Sequence, residues 1–502
     1  MFKPLLRAAA PALLLTPVPL AAQQPAPIAA ADMLRHIQVL ASDRFEGRAP
    51  ASAGERLTID YIVEQLRARG LEPAGEGGTW LQPVGLVDRT TRTQEISWTV
   101  GGRTLPFDQA NIALQGREAD ARAADAPIVF AGHGARIPAR GVDQLAGANL
   151  NGAVVFILFD APDVPDFPSF AQRVRAVTDA GAAAVIALTG ADLEWRFVTA
   201  NYRHASTRLA SQPTAPLVGA MPLSAAQSLF AAGGTSLDHL LNDRPGGAFH
   251  AVTLPIRANL HVVTDVRNYT TNNVIGRVRG AGSTGENVMF LAHWDHFGIC
   301  RPAGAADRIC NGAVDNASGV AMMIEVAGHL ASGPRPVRDI IVLATTAEEE
   351  GLLGAEYFAT HPVVPLQSIA AAINLDTVAV APAGEPVAIL NRGNPGLDAL
   401  VESTATAMGR RMDSAHEADA MVQRQDGWAL ARHGVPAIMV GGSFASMARL
   451  NAFLQGRYHQ PSDQADGAIE MGGATEDANL LVALGRRLAD PAAYARPQRI
   501  AE

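Results

Sequence analysis

The chain has 502 residues, 48% of them apolar, enough to bury a large core and to divide into two or three domains. Its 40 basic residues against 49 acidic ones leave a formal charge of −9. That balance disfavours sequence-independent binding to phosphates, so nucleic acid is not an expected partner.

The N-terminus begins with Lys3 and Arg7 and runs into the short apolar stretch AAAPALLLTPVPLAA. This is the order of a secretory signal peptide, expected over residues 1–22 with cleavage near Ala22, and an uncleaved anchor is the alternative. Pro11, Pro17 and Pro19 interrupt the stretch, and no other run reaches the roughly 18 to 20 apolar residues of a spanning helix. The expectation is a periplasmic or secreted protein with no stable membrane insertion after cleavage. No cysteine lies near the cleavage region, which argues against a lipoprotein. The two cysteines, Cys300 and Cys310, share a Gly/Pro/Ala loop and would pair in an oxidising compartment or remain as two thiols.

After the signal, ADMLRHIQVLASDRFEGRAP reads as an amphipathic helix and a polar loop. GERLTIDYIVEQLRARGLEPAG reads as a longer helix stopped by Gly70 and Pro73. These belong to a first part, residues 23–118. Over 119–255 the runs APIVFAG, NGAVVFILFD, AAAVIAL and APLVGAM alternate with turn-rich segments and one helix, SFAQRVRAVTDAG, the pattern of a small β-rich insert. From 256 to 502 strands and helices alternate. NVIGRV, ENVMFLA, DIIVLATT, AAAINLDTVAV and GVPAIMVGG are the strands, and ASGVAMMIEVAGHLASG, LDALVESTATAMGRR and ATEDANLLVALGRRLAD the helices. Such alternation predicts an α/β fold, a three-layer α/β/α sandwich on a mostly parallel sheet. No repeat or low-complexity tract interrupts it.

Ligands of such sheets sit beyond the carboxyl ends of the strands. Three strand ends here carry metal-ligand side chains: His293 after ENVMFLA, Glu348 and Glu349 after DIIVLATT, and Asp376 after AAINL. GAVDNASG places Asp315 just before a helix beginning near Ala317, and RYHQPSD puts His459 in a loop after the last strand. Imidazoles and carboxylates without thiolates suit zinc, with cobalt or manganese as substitutes. Two divalent ions bring about +4, which Asp315, Glu349, Asp376 and a bridging hydroxide cancel; one ion would leave carboxylates uncompensated.

HWD, GAVDNASG, AEEEGLLG, NLD and YHQPSD, in that order, resemble the co-catalytic dizinc exopeptidases related to bacterial leucyl aminopeptidase and aminopeptidase Y. ASDRFEGR and the helix ending in RGLEPAG resemble that family's N-terminal segment. APIVFAGHG and LNGAVVFIL resemble an inserted protease-associated domain. The resemblance implies a zinc exopeptidase fold and two Zn2+ per chain, bridged by Asp315, with His293 and Asp376 completing one site and Glu349 and His459 the other. It implies Glu348 as general base and acid toward a metal-bridged hydroxide, Asp295 as the partner that holds the His293 imidazole, and a cis peptide at Asp315-Asn316. Adjacent positions in a turn point apart, which suits one ligand and one base at Glu349 and Glu348.

Glu350 is expected to face water in the first turn of a helix. His296 is either an outer partner of the site or a structural histidine, His329 packs or lies at the surface, and Asp463 either orients His459 or serves its turn. The chain departs from the family at Gln425, Asp426 and Gly427, where Ser-Asp-His is common, which leaves the substrate pocket and the role of Asp426 open. The expected activity is that of an aminopeptidase on peptides. A carboxypeptidase or dipeptidase is the alternative, with a single-zinc glutaminyl cyclase and a non-catalytic receptor-like relative behind it. A terminal carboxylate would need a positioned arginine, for which Arg392, Arg424 and Arg432 are candidates. Oligomeric state and residue preference have no sequence signal.

Overall fold

The computed structural model describes residues 25–497 apart from 163–166, 204–205, 213, 243–248 and 283, so the expected signal peptide lies outside the described residues. Helices α1 (Ala30–Leu40) and α2 (Ala53–Ala68) come first, α2 entered through Ser52, whose hydroxyl accepts the Glu55 N–H. The β-rich part follows, built from β1 (Leu81–Val100), β2 (Asp120–Phe130), β3 (Val154–Leu158), α3 (Phe170–Asp179), β4 (Ala184–Thr189) and β5 (Leu217–Pro222). Strands β2, β3, β4 and β5 run parallel in that order. Their alternating side chains feed two cores, Phe156 with Trp98 on one face and Ile157 with Val177 of α3 on the other.

The link to the rest is β6 (Val252–Val278), 27 residues long. Its first half pairs with β2, residues 257–274 pair with β1, and its end, the NVIGRV segment, carries the same continuous sheet into the C-terminal part. There the sheet contains β7 (Asn287–His293), β8 (Asp339–Thr345), β9 (Ile369–Asn374), β10 (Ala388–Leu390) and β11 (Ala437–Gly441). The spatial order is β10-β11-β9-β7-β8-β6. The inner junctions are parallel and those of β10 and β6 antiparallel. The mixed α/β fold with a mostly parallel central sheet matches the sequence expectation.

Strand alternation explains the layers. Val288, Phe290 and Ala292 of β7 and Ile340, Val342 and Ala344 of β8 face α1, α2, α4 (Ser318–Ser332) and α7 (Met471–Leu488). Met289, Leu291, Ile341 and Leu343 face Phe358 of α5 (Leu353–Thr360) and Leu430 of α6 (Asp426–Arg432). Each buried Leu, Ile or Phe contributes roughly 1.5–3 kcal/mol. Two expected elements end differently. The strand read through Thr377 and Val380 stops at Asn374, because Thr377 turns at φ 51° and swings the chain onto the sheet's rim. The Glu348–Glu350 triplet lies in a turn before α5, which starts at Leu353, so these carboxylates are not in a helical turn. Among the described residues no helix is long and apolar enough to cross a membrane.

Candidate metal centre

The three parallel strands β8, β7 and β9 deliver their ends side by side, with His293 opposite Thr345 in register. His293 is therefore fixed by a strand buried along its whole length. Its Nε2 lies 3.3 Å from Asp315 Oδ1, 3.6 Å from Asp376 Oδ1 and 3.9 Å from Glu348 Oε2. On the other side His459 Nε2 lies 3.3 Å from Asp315 Oδ2 and 3.1 Å from Glu349 Oε2. Asp315 thus stands between the two imidazoles, one oxygen toward each. The ligand atoms of His293, Asp315 and Glu349 fall within 4.8 Å of one another, as do those of His293, Glu348 and Asp376.

These close approaches lack hydrogen-bond geometry. His293 Nε2, His459 Nε2 and Asp315 Oδ2 are buried without a hydrogen-bond partner among the described residues. Buried polar atoms are ordinarily paired, and donor atoms that converge without bonding each other are arranged around a third atom. The donor set, two imidazoles with carboxylates, fits zinc.

The surroundings fix these ligands. The turn before α4 brings Asp315 over the rim, through a cis Asp315-Asn316 peptide as the resemblance implies. Asp463 is fully buried, and its carboxylate accepts the Val314 and Asp315 N–H groups at 3.1 Å each; it orients the Asp315 loop, not His459. Asp295 differs from expectation in a similar way. The His293 Nδ1 meets the Asp295 backbone carbonyl at 3.2 Å, while the carboxylate, 3.9 Å from that nitrogen, accepts the Glu348 N–H at 3.1 Å and faces the Glu349 N–H. The side chain two residues on therefore ties the glutamate turn to the His293 strand. His296 bonds Glu349 Oε1 through Nδ1 at 2.5 Å, which makes it an outer partner of the site.

Electrostatics follow from burying acids together. Burial, reinforced by Asp376, Glu349 and Asp426, pushes the Glu348 carboxyl well above its ordinary range, with His293 opposing. Burial also raises Asp295 to about 8. For Asp315 burial works in the same direction, but the His293 and His459 imidazoles overcome it and hold its carboxyl well below the usual range. Burial opposes a charge on His459, yet Asp315 and Glu349 raise it to about 9. The cluster needs positive charge, which protonated imidazoles supply in part and divalent cations would supply in full.

Other nominated residues find plainer places. Glu350 is exposed, and the Thr207 hydroxyl of the β-rich part also faces its carboxylate. His329 bonds the Glu325 and Ala26 carbonyls. Gln425 accepts the Gly427 N–H at the start of α6, and buried Asp426 accepts the Thr345 hydroxyl beneath the site. Cys300 and Cys310 form a disulfide joining the short paired strands Gly298–Ile299 and Ile309–Cys310.

Arg48 and Tyr458 take parts that the sequence reading did not assign them, and Arg424, a candidate for a terminal carboxylate, lies beside the centre. Arg48 is buried under the ligand loops and donates to the Trp294, Leu40, Asn311 and Gly312 carbonyls. Tyr458 stacks on His459 with ring centres 3.5 Å apart. Arg424 and Tyr458 line, with Asp376, a cavity of about 40 Å³ beside the centre, walled by Leu390, Met439 and Phe444.

Residues 273–483 match the sequence profile of Peptidase family M28, and this stretch holds His293, Asp315, Glu348, Glu349, Asp376 and His459. A probable zinc metalloprotease of Leptosphaeria maculans is 29% identical over 201 residues, 38% of this chain and 43% of that protein. A vacuolar membrane protease of Candida tropicalis is 33% identical over 97 residues, 19% of this chain and 10% of that protein. The chain thus spans less than half the length of these relatives. An aminopeptidase from Aneurinibacillus sp. strain AM-1 is 20% identical in sequence and superimposes with a TM-score of 0.50, covering 91% of this chain and 93% of that one. It shows the shared fold.

Proposed function

We propose that the chain is a zinc-dependent M28-type exopeptidase, an aminopeptidase that removes N-terminal residues from peptides. The observation that supports it is the unbonded convergence of His293, Asp315 and His459 beside the raised Glu348 carboxyl. His293 and Asp376 would hold one zinc, Glu349 and His459 the second, and Asp315 both. Zinc there supplies Lewis-acid polarisation of the scissile carbonyl and of water.

The chain's own groups do the rest. Glu348 is 11% exposed in its side chain, open enough to meet substrate. Its carboxylate takes a proton from the attacking water, burial and acidic neighbours favour the proton-bearing form, and the proton passes to the departing amine. Asp295 keeps the Glu348 N–H engaged and so fixes the direction of that carboxylate. Asp376 and Glu348 offer acidic partners to a free α-amine. Residues 1–22 are read as a signal peptide directing the protein to the periplasm or outside the cell, and 119–255 as a protease-associated insert.

The test compares free-amine, N-blocked and C-blocked peptides with and without chelator. Free-amine peptides should be cleaved, chelator should stop the reaction and zinc restore it. Cleavage of N-blocked peptides from the carboxyl end would overturn the aminopeptidase reading.

A further inference from the structure

Three arginines could meet a substrate carboxylate, and the structure separates them. Arg392 lies 3.9 Å from Glu402 and donates to the Ile389 carbonyl. Arg432 pairs with Glu356 at 2.8 Å. Neither is available without breaking a bond. Arg424 is exposed, and among the described residues no bond or ion pair engages its guanidinium. It is also the one of the three that lines the cavity shared by Asp376 and Tyr458, beside the metal centre.

That cavity has a divided character. Leu390, Met421, Met439, Phe444, Leu450 and Leu454 make its wall apolar, and at about 40 Å³ it has room only for the tip of a substrate carbon chain. Its polar members are Asp376, Thr377, Gln425, Tyr458 and Arg424, and Arg424 is the only cation among them. The nearby carboxylates Asp315, Glu348, Glu349 and Asp376 would repel an acidic substrate approaching on their side. Arg424, on the cavity wall and exposed, offers such a group a separate cationic partner. Its planar fork matches a carboxylate with two parallel hydrogen bonds.

We propose that Arg424 binds a carboxylate of the substrate, so that the preferred substrates carry one within reach of the apolar cavity beside Asp376. This rests on the exopeptidase reading and narrows it. Two sources have the same chemistry: the side chain of an acidic residue, and the terminal carboxylate of a dipeptide. Short acidic or free-terminus peptides then form the substrate class, and long neutral peptides the poorer one.

The experiment uses the zinc-loaded full chain, with kcat and KM measured on matched pairs. Leu-Gly against Leu-Gly-amide reports the terminal carboxylate, and Glu-amide against Gln-amide the acidic side chain. The carboxylate member of at least one pair should show a kcat/KM about fivefold or more higher, carried in KM, and the preference should shrink with salt. Which pair responds identifies the source. Arg424→Gln should erase the preference, lowering kcat/KM at least fivefold more on the carboxylate substrates than on the amides, and Arg424→Lys should restore part of it. Calorimetric titration of the same pairs into the Glu348→Gln variant, with and without Arg424→Gln, reads binding without turnover. No preference in the wild type, or an equal loss on all substrates in Arg424→Gln, overturns the assignment. The exopeptidase reading fails separately, by chelator-insensitive cleavage or by none on any free-amine peptide, and the titration then still decides whether Arg424 binds carboxylates.

Discussion

Arg48 gives the sharpest test of how the candidate metal centre is held. Its guanidinium is 1% exposed and donates from Nε to the Trp294 carbonyl at 2.9 Å, from Nη1 to Leu40 at 2.8 Å and Asn311 at 2.6 Å, and from Nη2 to Gly312 at 2.9 Å. Trp294 follows His293, and Asn311 and Gly312 lead into Asp315, so one side chain ties two ligand loops. Burial brings Arg48 down to about 10, with Asp315, Asp463, Asp295 and Glu349 opposing, so it remains a cation at neutral pH. The backbone there is strained as well: Glu46 and Arg48, which carry side chains, take positive φ of 48° and 56° on either side of Gly47.

Arg48→Ala removes four hydrogen bonds to buried carbonyls, at about 1 kcal/mol each or about 4 kcal/mol in all, and among the described residues only the Gly312 carbonyl of the four keeps a backbone donor, the Ala317 N–H. Loosened loops should also weaken zinc binding about 10- to 100-fold, the usual cost of losing an outer support of metal ligands. Arg48→Lys keeps the charge but cannot reach four acceptors, so it should recover only part of both losses. The assay is urea unfolding of the metal-free chain together with competitive zinc titration. An Arg48→Ala variant within about 1 kcal/mol of wild type and with unchanged zinc affinity would refute the clamp, since the resolution of such assays is finer than the expected loss.

Other outcomes test neighbouring parts. Glu348→Gln should abolish turnover with zinc content unchanged, whereas Glu349→Ala should lose zinc; equal loss by elemental analysis in both would sink the division of roles. Gly312→Ala should lower zinc content and thermal stability, because at φ 57° the added Cβ would stand 2.2 Å from the Asp315 carbonyl oxygen and 2.6 Å from the His296 ring. Away from the site, Glu325 bonds His36 at 2.9 Å and Arg69 at 2.5 Å. Burial opposes its charge, but these partners hold its carboxyl down to about 2 against an ordinary 4.5. A depressed pKa stabilises the fold above the ordinary value, and about 3 kcal/mol should be lost as pH falls from 4.5 toward 2. Urea midpoints across that range should show the loss, and Glu325→Gln should flatten it; an equally steep fall in the variant would place the effect elsewhere.

The parts legible in the sequence are those that depend on local periodicity. A run such as ENVMFLA fixes its own direction and faces, so the residue at its carboxyl end is placed as soon as the sheet is parallel. His293, the Glu348–Glu349 turn and Asp376 were readable for that reason. Asp315 was readable because the helix after it is plain, and His459, in a loop at φ 59°, only because YHQPSD resembles a known block. What stayed hidden depends on contacts between distant segments. RFEGR reads as a polar loop, and nothing local says that Arg48 will be roofed by Trp294, Asn311 and Gly312, more than 240 positions away.

Asp295 and Asp463 show how such contacts mislead a local rule. Spacing of two along an extended segment puts Asp295 on the side of His293, and spacing of four puts Asp463 near His459. In each case another backbone arrives with unpaired N–H groups: those of Glu348 and Glu349 at Asp295, and those of Val314 and Asp315 at Asp463. Buried N–H groups must be satisfied, and a carboxylate that accepts two of them is better employed there than on an imidazole already served by a carbonyl. The two aspartates therefore act on the loops that carry ligands, and Arg48 acts on the same loops from below. Removing any one of the three should disturb Asp315 or Glu349 before it disturbs the sheet.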